Sequence, residues 1–202
     1  MSSRYLILIA VLLAAALVFS TGCTQPAASN QTGIQSPPQT SASLPASGTL
    51  VRFETNMGDF TVALDPSMPI TTGHFTSLVK KGFYNGVIFH RVIDQFMIQG
   101  GDPTGTGMGG SGPNGAGAPI KDEFTANNRN NRGTIAMANA GPNTGDSQFF
   151  INLVNNNYLD TKHPVFGKVV EGMDVVDKIG RTKTGAGNRP VVPVTIIRAE
   201  II

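Results

Sequence analysis

The sequence predicts a mainly β fold, a sandwich or barrel of short antiparallel strands accompanied by two helices. Three observations carry that expectation. A hairpin pattern opens the charged part of the chain, several further short β-type runs follow among Gly-rich turns, and only two stretches show helical periodicity.

The elements follow in order. Val51, Phe53 and Thr55 alternate with Arg52 and Glu54, Asn56-Met57-Gly58 reads as a turn, and Phe60, Val62 and Leu64 resume the alternation, which is a β-hairpin signal. From Pro69 to Lys81 the spacing predicts a helix with Phe75, Leu78 and Val79 on one face, stopped at Gly82. Short β-type runs are expected at Val87 to Ile93, Phe96 to Gln99, Gly133 to Ala138, Gln148 to Val154 and Val165 to Val170. Met173 to Ile179 is the second helical stretch, and the β-branched, alternating Val191 to Ile202 closes the chain. Periodicity does not choose between sandwich and barrel.

Charge divides the chain. Before Thr49 the only charged side chain is Arg4, whereas all 13 acidic residues lie beyond it, so the folded unit is expected at 48–202. That is about 155 residues, enough to bury roughly 70% of the unfolded surface without staples. The only cysteine, Cys23, precedes this unit, which excludes an internal disulfide or a thiolate metal cluster in it. A net charge of +2 with interspersed signs offers no broad basic face for nucleic acid.

At the start, Arg4 precedes an apolar run from Tyr5 to Phe19, too short for a comfortable transmembrane helix and suited to a signal peptide over 1–22. Ser20-Thr21-Gly22-Cys23 resembles a lipobox, although Ser20 stands where leucine is usual, so lipidation of Cys23 is expected. An uncleaved signal anchor and plain secretion are the alternatives, and all three readings export the domain to the outer face of a membrane or beyond. Residues 23–47, rich in Ser, Thr, Pro and Gln, cannot bury enough to fold and read as a tether.

Some motifs carry nothing. Gly105 to Gly110 satisfies G-x-G-x-x-G, but a phosphate cradle needs the glycines to open a helix, and the Gly- and Pro-rich stretch after Ser111 cannot form one. Ser147 lacks the second glycine of a nucleophile elbow. His74, His90 and His163 have no companions at metal-ligand spacing. Asn127 to Arg132 reads as a solvated loop, with too few cations for more than weak, salt-sensitive phosphate binding.

Three blocks are informative together: Phe89 to Asp102 (FHRVIDQFMIQGGD), Met137 to Ile151 (MANAGPNTGDSQFFI) and Tyr158 to Val169 (YLDTKHPVFGKV). In order and spacing they resemble the signatures of cyclophilins, peptidyl-prolyl cis-trans isomerases, and with the hairpin and last strand the likeness extends over 48–202. The resemblance implies a closed eight-stranded antiparallel barrel capped by two helices, with a substrate groove on its outer wall and no cofactor or metal. It makes Arg91 the catalytic cation. Phe96, Met97, Phe150, Leu159 and His163 would line a proline pocket, while Gln99, Ala138, Asn139 and Gln148 would hold the peptide backbone. Gly107 and Met108 would flank a secondary pocket for the residue before proline. Tyr158 stands where many cyclophilins have tryptophan, which leaves isomerisation plausible and weakens the expectation of tight cyclosporin binding.

Taken singly, Phe96 and Met97 read as core, Arg91 as a surface cation and His163 as a loop histidine; only their joint occurrence favours a site. The leading functional expectation is an isomerase acting as a monomer on proline-containing peptides and unfolded exported chains. The competing one is a chaperone or scaffold that binds the same peptides without turnover, and Arg91 favours the first, because a pure binder does not need it. A structural surface lipoprotein is the third class, and it predicts an occluded groove.

Overall fold

The computed structural model describes residues 48–112 and 115–202. The expected signal segment, Cys23 and the tether lie outside the described residues. Eight strands and two helices follow in the order β1 (Leu50–Thr55), β2 (Gly58–Leu64), α1 (Pro69–Lys80), β3 (Arg91–Ile93), β4 (Met97–Gly100), β5 (Thr134–Met137), β6 (Phe149–Asn152), β7 (Val165–Glu171), α2 (Met173–Gly180) and β8 (Ile196–Ile201). The strands form one antiparallel sheet in the order β3-β4-β6-β5-β7-β2-β1-β8.

This sheet is strongly curled and open, which modifies the expected closed barrel. Its edge strands β3 and β8 share no ladder. The gap is spanned just upstream of β3 by a bridge between Ile88 and Thr195, with the Phe89 N–H donating to Val194 O and the Ile196 N–H to Val87 O, both at 2.9 Å. The two β-type runs that meet there are accordingly shorter than their composition predicts. Pro190 and Pro193 have no N–H to offer a ladder, so the final strand begins only at Ile196.

The predicted face of α1 is the buried one: Phe75, Leu78 and Val79, joined by Thr71. Pro69 sits at the helix start, where its missing N–H costs nothing. The first free donors are met from a distant loop, where the Glu123 carboxylate accepts from Ile70 N–H at 3.1 Å and Thr71 N–H at 2.7 Å.

Inside the curl the core is aromatic. Phe53 stacks on Phe60 with centroids 4.8 Å apart, and the edge-on pairs Phe75–Phe149 and Tyr84–Phe149 lie at 5.8 and 5.6 Å. The buried Tyr84 hydroxyl donates to Ser147 O at 3.1 Å, which satisfies its one polar atom. Gly101 turns the chain out of β4 with a φ of +88°, and a Cβ there would stand 2.3 Å from Ser147 O, so only glycine fits.

Phe75 is fully buried at the junction of helix and sheet, touching Phe53, Tyr84, Phe149 and Phe166. Phe75→Ala is expected to cost about 3 to 5 kcal/mol, read as a lower urea midpoint with an unchanged slope.

Candidate active site

Strand alternation builds a second, smaller apolar cluster on the outer face of the sheet. Phe149 and Ile98 belong to the inner core, and their neighbours Phe150 and Met97 join Ala136 outside, against Phe96, Ala138 and Leu159. The register then sets the row. Arg91 pairs with Gln99, Gln99 with Phe150 and Phe150 with Ala136, across four adjacent strands.

Over this row lies a cavity of about 280 Å³. Its lining brings together Arg91, Phe96, Met97 and Gln99 from the β3–β4 hairpin, Ala138 and Asn139 from the turn after β5, Phe150 from β6, and Leu159 and His163 from the segment before β7. Four of the sequence-derived residues lie elsewhere. Gln148, Gly107 and Met108 line a second cavity of about 260 Å³, which Gln99, Ala138 and Asn139 share with the first. Tyr158 lies outside both linings, 67% exposed, with its ring nearly parallel to Phe96 at 6.3 Å.

Side-chain hydrogen bonds connect the two cavities. Arg91 Nη1 donates to Gln99 Oε1 at 3.2 Å, Gln99 Nε2 to Gln148 Oε1 at 3.0 Å, and Gln148 Nε2 to the carbonyls of Gly107 and Gly109 at 3.1 and 2.9 Å. The Arg91 guanidinium stands 5.9 Å from the Phe96 ring centre. On the other side, His163 Nδ1 lies 3.0 Å from Met137 O, and because a carbonyl only accepts, Nδ1 carries the proton. The His163 ring meets Phe150 edge-on at 5.3 Å.

The glycine-rich loop that lines the second cavity keeps its shape through two buried carboxylates. Asp102 accepts from the Thr104 N–H at 2.7 Å, the Thr104 hydroxyl at 2.8 Å and the Gly107 N–H at 2.6 Å. Asp146 accepts from the Ser111 N–H at 2.7 Å, the Ala118 N–H at 3.0 Å and the Ser111 hydroxyl, with His74 Nε2 at 3.2 Å. Burial pushes both carboxyls upward, but these donors together outweigh it and hold each at about 2. His90, buried beside this loop, is pushed down by burial against the opposing pull of Asp102.

Sequence reading missed one set of residues. Asn127 to Arg132 is only partly a solvated loop: Asn128 and Asn130 are buried while Arg129 and Arg132 reach solvent. Asn152 and Asn156 are buried beside them. The available signal was four asparagines within five positions, Asn127, Asn128, Asn130 and Asn131, but asparagine composition alone reads as loop.

The comparisons agree with this architecture. Residues 50–201 match the family model described as cyclophilin type peptidyl-prolyl cis-trans isomerase. The chain is 48% identical over 154 residues to peptidyl-prolyl cis-trans isomerase-like 1 of Aspergillus oryzae, covering 75% of this chain and 94% of that one. It is 43% identical over 154 residues to a peptidyl-prolyl cis-trans isomerase of Arabidopsis thaliana, covering 75% and 93%. A cyclophilin type isomerase of Cryptosporidium parvum superposes with a TM-score of 0.73 at 34% identity, over 77% of this chain and 98% of that one; a second structure of it, in the presence of the dipeptide Ala-Pro, gives 0.71.

They also correct the expected location. The relatives are fungal and plant isomerase-like proteins whose own length is almost wholly taken up by the matched domain, so the likeness brings no exported or membrane-tethered form with it. Among the described residues no helix is long and apolar enough to cross a membrane.

Asp102 and Asp146 predict acid sensitivity. Well above pH 4 both are ionised whether the chain is folded or not, so their stabilisation is fully present. As pH falls from about 5 to 2 the unfolded chain takes up protons first, and about 2 kcal/mol per carboxylate is lost. Urea unfolding across this range should show the loss, and an Asp102→Asn, Asp146→Asn double variant should show a flatter profile.

Proposed function

The chain belongs to the cyclophilin-type peptidyl-prolyl cis-trans isomerases, and from that premise we propose that its outer cavity is where the X-Pro bond turns, with Arg91 as the catalytic cation. An X-Pro bond isomerises over tens to hundreds of seconds because amide resonance sets a barrier of about 18 to 20 kcal/mol. Rotation destroys that resonance, so the proline nitrogen becomes pyramidal and regains a lone pair. A donor fixed near that nitrogen therefore binds the twisted state better than either planar one.

Arg91 is suited to this task. Its guanidinium is always charged and carries five N–H donors in a planar fork; Gln99 holds one of them, leaving others for substrate. Phe96, Met97, Phe150, Leu159 and His163 would grip the proline ring, while Gln99, Ala138, Asn139 and Gln148 would hold the peptide backbone. Gripping one side of the bond and holding the other turns binding into torsion. Gly107 and Met108, beside the second cavity, would meet the residue before proline. A rate gain on the order of 100,000-fold requires about 7 kcal/mol. One preorganised donor contributes about 3 to 4 kcal/mol of it, and the grip must supply the rest.

The observation that carries the reading is the joint lining of one cavity by a hydrogen-bonded arginine and apolar side chains from three separate segments. A monomer is proposed as the working unit. We propose 48–202 as that unit, with 1–47 taking no part in the chemistry. Cys23 is given no role in it.

Exchange NMR on a proline peptide separates catalysis from mere binding. Arg91→Ala is expected to lower catalytic efficiency by about 100-fold or more, with Arg91→Lys recovering only a minor part, because a mobile point charge cannot replace a fork. Peptide affinity should change much less than turnover. Near-wild-type turnover in Arg91→Ala overturns the assignment, and equal losses of affinity and turnover favour the binding module. Tyr158→Trp is expected to tighten cyclosporin binding by about 0.5 to 1.5 kcal/mol in calorimetric titration, the gain from one indole hydrogen bond.

A further inference from the structure

Two lining segments of the outer cavity, those of Phe96 and His163, are tied together by buried asparagine side chains that the reaction proposed above does not use. Asn130 and Asn152 are fully buried and Asn156 is 3% exposed. Amides are seldom buried to this degree, and when they are, their polar groups have to be paired.

These three are paired in series. Asn156 Nδ2 donates to Phe96 O at 3.0 Å and to Asn152 Oδ1 at 2.8 Å. Asn152 Nδ2 donates to Thr134 Oγ1 at 2.9 Å and to Asn130 Oδ1 at 3.2 Å. Asn130 donates its backbone N–H to Asp160 Oδ1 at 2.6 Å and its Nδ2 to His163 O at 3.3 Å. Both ends of the series are carbonyls, which only accept, so Asn156 and Asn130 each turn Nδ2 outward. Asn156 Nδ2 also donates inward to Asn152 Oδ1, and Asn152 Nδ2 donates on to Asn130 Oδ1, which leaves the middle amide one orientation.

The position of the series matters. It begins on the backbone of Phe96, which lines one wall of the cavity, and ends on the backbone of His163, which lines another; Asn152 itself pairs across the ladder with Met97, which lines the cavity too. A fully satisfied polar network in a low-dielectric interior is rigid in a way that apolar packing is not, because any displacement leaves a buried donor or acceptor unpaired. We propose that Asn130, Asn152 and Asn156 are positioning residues that fix the width of the proline pocket, and thereby its selectivity for a five-membered ring. This rests on the reading of the cavity as the proline pocket.

The test uses the full chain and two matched peptides, one with proline and one with pipecolate, its six-membered homologue, followed by exchange NMR at a temperature where every variant is folded. Asn156→Ala is the first variant, because its backbone N–H keeps its bond to Asn130 O at 2.7 Å. If it does not fold, Asn156→Ser, which retains one donor, is read in its place. Ile179→Val, buried in the inner core on α2, controls for general loss of stability.

Prolyl turnover in Asn156→Ala is expected to fall about tenfold, since a small misplacement of a substrate-positioning group costs on the order of 10 to 100-fold. The preference for proline over pipecolate should shrink at least about threefold, in line with a looser pocket distinguishing one methylene less well. The Phe96 and His163 signals should shift together, and Ile179→Val should keep the wild-type preference. If a proline peptide leaves the wild-type Phe96 and His163 signals unmoved, the assignment of the cavity falls and the positioning with it. If wild type responds but Asn156→Ala keeps the ring preference, the positioning alone is overturned.

Discussion

Everything at the candidate site depends on the period-two alternation of β4, β5 and β6 and on the register that aligns them. Phe149 and Phe150 are consecutive, yet one packs against Phe53, Phe75 and Tyr84 in the inner core and the other lies in the outer cavity with Met97 and Ala136. A slip of one residue would exchange the two faces, expose the inner aromatics and bury Gln99 without its partners. The inner core is far larger, so it fixes the register. The site inherits its geometry from the requirement that the core be filled.

Around that row, loops are held by polar groups in place of hydrophobic burial. The glycine-rich loop after β4 and the segment before β7 have little regular structure, and their backbone donors need other partners. Asp102 and Asp146 accept from backbone N–H groups of the first, and Asp160 in the second accepts from the Asn130 N–H in the loop before β5. In the first loop the G-x-G-x-x-G glycines open no helix, and the Gly107 N–H is already committed to Asp102. That arrangement lets a glycine-rich loop present carbonyls to Gln148 and act as part of a wall.

The sequence was legible where one physical cause dominates. Alternation identified the hairpin of β1 and β2, and helical spacing identified the face of α1, because burial of one face outweighs other preferences there. It was less legible where tertiary partners decide. The run Val87 to Ile93 is continuous in composition, but only Arg91–Ile93 finds a ladder, the rest meeting the chain before β8 through isolated bonds. Asn130 and Asn152 were missed for the same reason. Asparagine is a turn residue by propensity, and only a set of partners from several segments makes burial affordable.

By itself the sequence determined the class of fold, the family and the set of residues around the site, because spaced blocks and apolar periodicity are local properties of the chain. The tertiary structure decided how that set divides between two cavities, that Tyr158 stands outside both, and that the curled sheet meets its own edge by a bridge in place of a ladder. It also decided which asparagines are buried. These are outcomes of long-range pairing, in which a side chain's environment is set by residues tens of positions away, and no local pattern in the chain records where those partners will be.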